Sequence, residues 1–174
     1  QPFYYPEPIS ASSSQPMIQI PTFAQGGTWG GKKLGTSNLT MATSGCYVTA
    51  LTMRLWNSSI NLTPGEVVDK LNDVKAFLPS GEMTYDGVER AFPDMTFYVR
   101  QRTTNDPDNG AEQEIDAALK TVIRLLALGQ PVILAVDLVP GNHQVPDHAV
   151  VAYDWLDLPG GKVDFKIHDP AFGD

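Results

Sequence analysis

Residues 44–56 read Ser-Gly-Cys-Tyr-Val-Thr-Ala-Leu-Thr-Met-Arg-Leu-Trp and join the only cysteine of the chain, Cys46, to an amphipathic run. The run predicts a helix from Cys46 to Trp56. Four of its apolar side chains should supply core contacts: Val48, Leu51, Met53 and Leu55. A thiol at a helix N-terminus meets unpaired backbone N–H groups and the positive end of the helix dipole, and both favour the thiolate. Because a lone buried cysteine more often serves as a small apolar side chain, the interpretation of Cys46 depends on the rest of the chain.

A second segment, near the C-terminus, carries a histidine and an aspartate. His148 opens an apolar run, and a turn at Leu158-Pro-Gly-Gly161 leads into a second run that ends near Asp169. Two such runs around a Pro-Gly-Gly turn predict an antiparallel hairpin. With a four-residue loop, Asp157 to Gly160, His148 would lie directly opposite Asp169 on the same face, ~5 Å apart at Cβ.

The register of this hairpin decides the chemistry, since a slip by one residue sends the two side chains to opposite faces. Alternation does not choose between the registers. The slipped one pairs two apolar sets at least as well, Val151, Tyr153 and Trp155 with Val163, Phe165 and Ile167. We expect the four-residue loop because a thiol nucleophile needs a base, and the base needs a carboxylate to orient it.

Short motifs along most of the chain, from about Ile18 to the last residue, resemble those of one family. They are Pro21-Thr-Phe-Ala-Gln25, Trp29, Leu34-Gly35, Thr40-Met41, Ser44-Gly45-Cys46, Gly129-Gln-Pro-Val-Ile133, His148-Ala-Val-Val151 and Asp169-Pro170. In order and spacing they resemble the stand-alone C39-like cysteine peptidases of the papain-like superfamily. Gln25 lies farther ahead of Cys46 than in papain, as in the C39-like branch, and Tyr47 stands where many relatives have glycine.

The resemblance implies a role for four residues. Cys46 would be the nucleophile, His148 the general base and acid, Asp169 the residue that orients His148, and Gln25 a side-chain donor to the oxyanion. A normal thiol is only a few per cent ionised at neutral pH, so this chemistry needs an imidazole within reach of it. An alternative reading of Gln25 is a polar residue of the Gly26-Gly27 loop.

The other histidines and the acidic loop fit a catalytic or metal role less well. His143 lies in a loop between prolines, where a surface or substrate-side position is expected. His168 precedes Asp169 on one strand, so the two side chains should point to opposite faces. One cysteine and three scattered histidines lack the paired spacings of a structural zinc site. In residues 105–110 a proline falls at a ligand position of the EF-hand register. We therefore expect neither a metal nor an organic cofactor.

Composition limits the partners. The net charge of −8 argues against nucleic acid and anionic membranes, and no stretch approaches the length of a membrane span. A peptide or protein substrate is expected, and its candidate forms include the chain's own precursor and, in a bacterial or phage setting, a peptidoglycan peptide. The chain begins at Gln1 without methionine, so we expect a piece of a longer protein. The compartment stays open, with a secreted, cell-surface or virion location slightly ahead of the cytoplasm.

The predicted fold is α+β and papain-like, with an N-terminal helical part that carries Cys46 packed on a C-terminal antiparallel sheet that carries His148 and Asp169. Residues 1–15 form an extended arm or linker, and residues 16–174 form the single domain. The other expected elements are a short strand at 18–23, a loop at 25–45, helices from Thr63, at 84–91 and at 111–128, a strand at 95–102 and a buried strand at 131–138. The 111–128 helix should turn Ile115, Leu119, Ile123 and Leu126 inward.

These features predict a thiol hydrolase, a cysteine peptidase first of all. Two alternatives remain open. An acyl transferase would use the same residues but let an amine replace water at the thioester, in a cleft that excludes water. An inactive papain-like domain would keep the fold to bind a peptide or to brace a larger assembly.

Overall fold

A computed structural model describes residues 17–95, 111–138 and 147–172 of the 174-residue chain. Its helices are α1 (Met41–Ser44), α2 (Cys46–Trp56), α3 (Pro64–Asp73), α4 (Tyr85–Ala91) and α5 (Ala111–Ala127). Its strands are β1 (Val132–Val136), β2 (His148–Leu158) and β3 (Lys162–His168), which form an antiparallel sheet in the order β1-β2-β3. The α+β class is therefore confirmed. The arm at residues 1–15, most of the strand expected at 95–102, the acidic loop at 105–110 and His143 lie outside the described residues.

Helix α2 lies at the centre of the described core and is buried on more than one face. One side packs with α3 and α4 in a cluster that includes Val48, Leu51 and Leu55. The other side packs on strand β2, where Ala50 and Met53 meet Ala149 and Val151. The predicted core positions of α2 are confirmed, since all four are at most 1% exposed.

Two of the helices begin where side-chain caps are expected. At α3 the Thr63 hydroxyl accepts from Glu66 N–H at 3.3 Å, and the Glu66 carboxylate accepts from Thr63 N–H at 2.7 Å. This reciprocal pair satisfies two of the backbone donors that a helix start leaves without partners. At α4 the Thr84 hydroxyl accepts from Gly87 N–H at 3.1 Å. The helix expected from Thr63 is confirmed, and α4 matches the short helix expected at 84–91.

The segment before Cys46 differs from the prediction. The expected loop at 25–45 contains helix α1, whose first turn is closed by Thr40 and Thr43. The expected strand at 18–23 does not form, since these residues are irregular in the structure. Ile20 and Phe23 instead pack their side chains against the cluster that contains Cys46. The apolar pattern of this segment therefore serves packing rather than a backbone ladder.

Helix α5 and strand β1 differ from the prediction in their burial. Val122 and Leu126 are the buried positions of α5 and pack against Ala152 of β2, whereas Ile115, expected to face inward, is 46% exposed. Strand β1 was expected to be buried, but its residues are half-buried and Ala135 is exposed. The core contact of α5 lies in its second half, where it meets the sheet.

The register of the β2–β3 hairpin was predicted wrongly. Leu158 pairs with Lys162, so the loop is Pro159-Gly160-Gly161 and not the four-residue loop that was expected. Gly160 and Gly161 both have positive φ, 79° and 73°, a conformation that lets the chain turn within so few residues. The register then shifts between Ala152 and Asp154, which leaves Tyr153 as an extra residue in β2. This β-bulge sets the geometry of the site.

No helix within residues 17–95, 111–138 and 147–172 is both long enough and apolar enough to cross a membrane.

The turn between α1 and α2 leaves no room for a side chain at Gly45. A Cβ there would meet the Met41 carbonyl oxygen and would lie 2.8 Å from Met41 Cα. Gly45→Ala should therefore destabilise the protein by about 1–3 kcal/mol through forced backbone movement. A Cβ at Gly31 would meet open space, so Gly31→Ala should lose no stability. Urea unfolding of both variants checks this, and equal stability of the two would contradict the close approach at Gly45.

Candidate active site

His148 and Asp169 are in direct contact at one end of the sheet. The distance from His148 Nε2 to Asp169 Oδ1 is 2.6 Å. The His148 side chain is 6% exposed and that of Asp169 is 22% exposed. Asp169 Oδ1 also accepts from Ala171 N–H at 2.9 Å, so a short turn after β3 fixes the carboxylate. A carboxylate that accepts from Nε2–H leaves Nδ1 of a neutral ring as a proton acceptor.

The bulge at Tyr153 explains how the two side chains come to one face of the sheet. Beyond the bulge, Val151 pairs with His168, and one further step of this register puts Asp169 opposite Val150. Side chains alternate along a strand, so His148 and Val150 share a face, and Asp169 joins them as the diagonal neighbour of His148. Without the bulge, the register of the hairpin tip would have placed Asp169 opposite Val151, on the other face. The predicted contact is therefore present, but by a different register from the one expected.

Cys46 is the first residue of α2 and meets β2 at Ala149. Its side chain lies in the cluster formed by Ala50, Met53, Ala149 and Val151, and it is 6% exposed. The backbone N–H of Ala149, the residue after His148, faces the sulfur and lowers the pKa of the thiol. The charge of Asp169 is close enough to raise that pKa. Cys46, His148 and Asp169 therefore occupy one region of the molecule.

Burial, and not the helix start, dominates the ionisation of Cys46. Burial raises the pKa of the thiol above its ordinary value, and hydrogen bonds from the backbone N–H groups of Ala149, Tyr47 and Cys46 itself only partly offset this. The N–H groups at the helix start do lower the pKa of the thiol, as expected. The environment as a whole raises it, so the expectation that the thiolate is favoured is wrong. In the folded protein the thiol keeps its proton near neutral pH, so a base must remove it.

Gln25 forms hydrogen bonds with two separate parts of the chain in this region. Its backbone N–H donates to the carbonyl of Pro170 at 2.8 Å, next to Asp169. Its side-chain Nε2 donates to the carbonyl of Ala42 at 2.9 Å, in the helix that leads to Cys46. Its Oε1 is buried and has no hydrogen-bond partner among the residues described. Gln25 therefore links the turn after β3 to α1.

Tyr47, the residue after Cys46, packs beside the thiol. The ring is half-buried against the cluster that contains Cys46. Burial raises the pKa of the phenol, and the neighbouring Cys46 and Tyr85 raise it further. The phenol therefore remains a neutral hydrogen-bonding group throughout the physiological pH range.

His168 lies on the opposite face from Asp169, as its position in the sequence predicts. Its Nδ1 is 2.7 Å from the Thr22 hydroxyl oxygen. Its ring stacks on Tyr153, with ring centroids 4.5 Å apart and an interplanar angle of 19°. His168 therefore belongs to the support of the hairpin and does not contact the carboxylate of Asp169.

Sequence reasoning missed several groups around the site. These are the N–H of Ala149, the carbonyl of Ala42, the hydroxyl of Thr22 and the bulge at Tyr153. Two are backbone groups, which carry no sequence signal of their own. The bulge leaves no signal either, because residues 149–153 are all apolar and suit either face of the sheet.

Among the residues described, no group of three or more His, Cys, Asp or Glu side chains is arranged to hold a metal ion. Comparison of the chain with protein-family models, with curated proteins and with solved structures returns no match. The functional interpretation therefore depends on the site itself.

The raised pKa of Cys46 predicts a dependence of stability on pH. The fold favours the neutral thiol, so this contribution is complete below the ordinary value of 9.0 and is lost as the pH rises through the raised value. The free energy of unfolding of the wild type minus that of Cys46→Ala should therefore fall as the pH rises above 9.0. Urea unfolding at several pH values measures it. Tyr47 titrates in both proteins, so its effect largely cancels in the difference. The difference between the wild type and Cys46→Ser should fall with pH in the same way. A flat or rising difference would contradict the effect of burial on the thiol.

Proposed function

We propose that this protein is a thiol hydrolase, and specifically a cysteine peptidase of the C39-like, papain-like type. The observation that supports it most strongly is the 2.6 Å contact between His148 Nε2 and Asp169 Oδ1, on a strand whose next residue, Ala149, turns its N–H to the sulfur of Cys46. An imidazole held by a carboxylate next to a thiol is the arrangement that nucleophilic catalysis by cysteine requires. The proposal assigns Cys46 as nucleophile, His148 as general base and acid, and Asp169 as the orienting carboxylate.

The proton transfer follows from which ring nitrogen Asp169 occupies. With Nε2–H held by the carboxylate, Nδ1 accepts the proton of the Cys46 thiol. Asp169 then stabilises the imidazolium that forms and keeps the ring in one tautomer. Because burial raises the pKa of Cys46, the thiol is neutral before substrate binds. The proton therefore leaves as the sulfur attacks, and His148 acts as a true general base.

The proposed reaction then has two stages, formation of a thioester and its hydrolysis. The sulfur bonds to the carbonyl carbon of the peptide, the C–N bond breaks, and the imidazolium of His148 gives its proton to the leaving amine. A thioester on Cys46 remains. Water, deprotonated by the same imidazole, then attacks the thioester, which releases the acid and restores the thiol.

The oxyanion of each tetrahedral intermediate needs hydrogen-bond donors. The Cys46 N–H belongs to the first turn of α2, where backbone donors have no partner within the helix. The Gln25 amide carries two N–H groups, and one of them donates to Ala42. The second is the donor that we assign to the oxyanion. The bond to Ala42 fixes the amide, so that little reorganisation is needed during the reaction.

The burial of Cys46 favours a second candidate function. A thiol that is 6% exposed and packed against Ala50 and Met53 also suits an inactive domain that binds a peptide or braces an assembly. In that case His148 and Asp169 would stabilise the fold. The two candidates differ in one property, the reactivity of Cys46 toward a peptide-like electrophile.

A labelling experiment distinguishes the candidates and needs no knowledge of the substrate. A library of peptidyl vinyl sulfones should modify Cys46 of the wild type at neutral pH, with the adduct located by mass spectrometry. His148→Ala should slow the modification by ~10²-fold or more, because general-base assistance typically contributes that much. Gln19→Ala, at an exposed position, is the control and should react like the wild type. Slow labelling that His148→Ala leaves unchanged would favour the binding domain.

Cleavage itself is tested in parallel with a peptide mixture derived from digested protein. New termini that appear with the wild type and disappear with Cys46→Ala would identify the bonds cut. Addition of an amine acceptor separates hydrolysis from acyl transfer, because a transferase would attach the amine to the new carboxyl end. No Cys46-dependent product in any mixture, together with slow labelling, would overturn the proposal.

The role of Gln25 gives a separate prediction. Gln25→Ala should lower kcat by ~10²-fold to 10³-fold, as the loss of one oxyanion donor does, with little change in KM. Gln19→Ala, at an exposed position of the same segment, is the matched control and should keep full activity. Steady-state kinetics on a cleaved peptide measures both variants. An equal effect on kcat and KM, or none, would assign Gln25 to structure alone.

A further inference from the structure

We propose that Thr22 and His168 are positioning residues, which hold Asp169 on the face of the sheet where it orients His148. This inference rests on the proposed function for its catalytic consequence, but its structural part can be tested without turnover. The residues concerned are Thr22, the bulged Tyr153 and His168, and together they form what we call the clasp.

The need for a clasp follows from the register. The extra residue at Tyr153 is all that separates the observed pairing from one in which Asp169 faces away from His148. The outer half of the hairpin fixes its own register through its short turn and through the paired Trp155 and Phe165, which pack on the α5 side. It does not fix the register beyond the bulge, because the extra residue changes the pairing there. Contacts near the end of β3 must therefore supply the specificity.

The clasp specifies the register at the end of β3 through two contacts of His168. The His168 ring stacks on the ring of Tyr153, with the centroids 4.5 Å apart, and this contact ties the end of β3 to the bulged residue. The Thr22 hydroxyl lies 2.7 Å from His168 Nδ1 and ties the same ring to the segment before α1. A slip of β3 by one residue would remove the His168 ring from both partners. His168 precedes Asp169 directly, so whatever fixes His168 also fixes the face that Asp169 takes.

Asp169 is held on its other side by the same segment. Gln25 N–H donates to the carbonyl of Pro170 at 2.8 Å. The residues before and after Asp169 are therefore each hydrogen-bonded to one short stretch of chain, from Thr22 to Gln25. The Thr22 bond is the one that a side-chain substitution can remove without touching the nucleophile, the base or the oxyanion donor.

The experiment compares three threonine substitutions that separate the effect of the Thr22 hydroxyl from other effects. Thr22→Val removes it at constant shape, Thr22→Ser keeps it, and Thr28→Val removes a hydroxyl from an exposed threonine elsewhere. His168→Phe keeps a ring for stacking on Tyr153 but removes Nδ1, and so attacks the same bond from its other end. Urea unfolding of each variant establishes that it is folded under the conditions used.

The first readout is the tautomer of His148, from the ¹⁵N chemical shifts of its ring with the imidazole neutral. The wild type, Thr22→Ser and Thr28→Val should show the proton on Nε2, where Asp169 accepts it. Thr22→Val and His168→Phe should show a mixture of tautomers, as Asp169→Asn should. An unchanged tautomer in both Thr22→Val and His168→Phe would overturn the clasp, whatever the catalytic result.

The second readout is turnover. Thr22→Val should lower kcat by ~10-fold to 100-fold with KM nearly unchanged, as a displacement of about 1 Å in a catalytic group does. In an Asp169→Asn background the same substitution should have no further effect, because the group that it positions is already disabled. Full additivity of the two substitutions would reduce Thr22 to a general stabilising role. If no variant and no wild type turns over, the proposed function fails while the tautomer result still decides the clasp.

Discussion

One extra residue in strand β2 decides where the functional groups of this molecule lie. Side chains alternate along a strand. Because of the bulge at Tyr153, the residues at the end of β3 share a face with different residues of β2 than they would in an unbroken register. The same change of phase satisfies two requirements. It lets Trp155 and Ala152 share the cluster on the α5 side, and it puts Asp169 on the face that His148 takes. The packing of the core and the geometry of the site therefore depend on a single local irregularity.

The thiol shows how burial and reactivity oppose each other at this site. Cys46 packs like a core residue, and burial raises the pKa of its thiol. The backbone donors at the start of α2 and at Ala149 act in the other direction but are too few to reverse the sum. Under the proposed function, this balance makes the imidazole and its carboxylate indispensable, because the buried thiol does not ionise on its own near neutral pH. It also protects the thiol from indiscriminate modification, since reactivity follows thiolate character and access.

The parts of the structure that were predictable from sequence are those with local causes. The Thr63–Glu66 capping box, the apolar spacing of α2 and the C-terminal turn each act within a few residues, and all three appear in the structure. The register was not predictable, because an unbroken apolar run can face either side of a sheet. Helix α1 was hidden among polar and small residues that also suit a loop. The four candidate residues were identified from chemistry and resemblance, whereas the bonds that hold them, mostly to backbone groups, leave no trace in the sequence.

The irregular segment from Thr22 to Gln25 explains how Gln25, the proposed oxyanion donor, can act together with Cys46, the proposed nucleophile, although it lies far ahead of Cys46 in the chain. It contacts the end of β3 on both sides of Asp169, through Thr22 and through Gln25 N–H, and it contacts α1 through the Gln25 side chain. The segment therefore spans the gap between the helix that presents Cys46 and the strand that presents the carboxylate. In the proposed reaction, proton transfer and oxyanion stabilisation must occur together in one transition state. A single support for Asp169 and Gln25 keeps these two functions in fixed relation, because a movement of the segment displaces both.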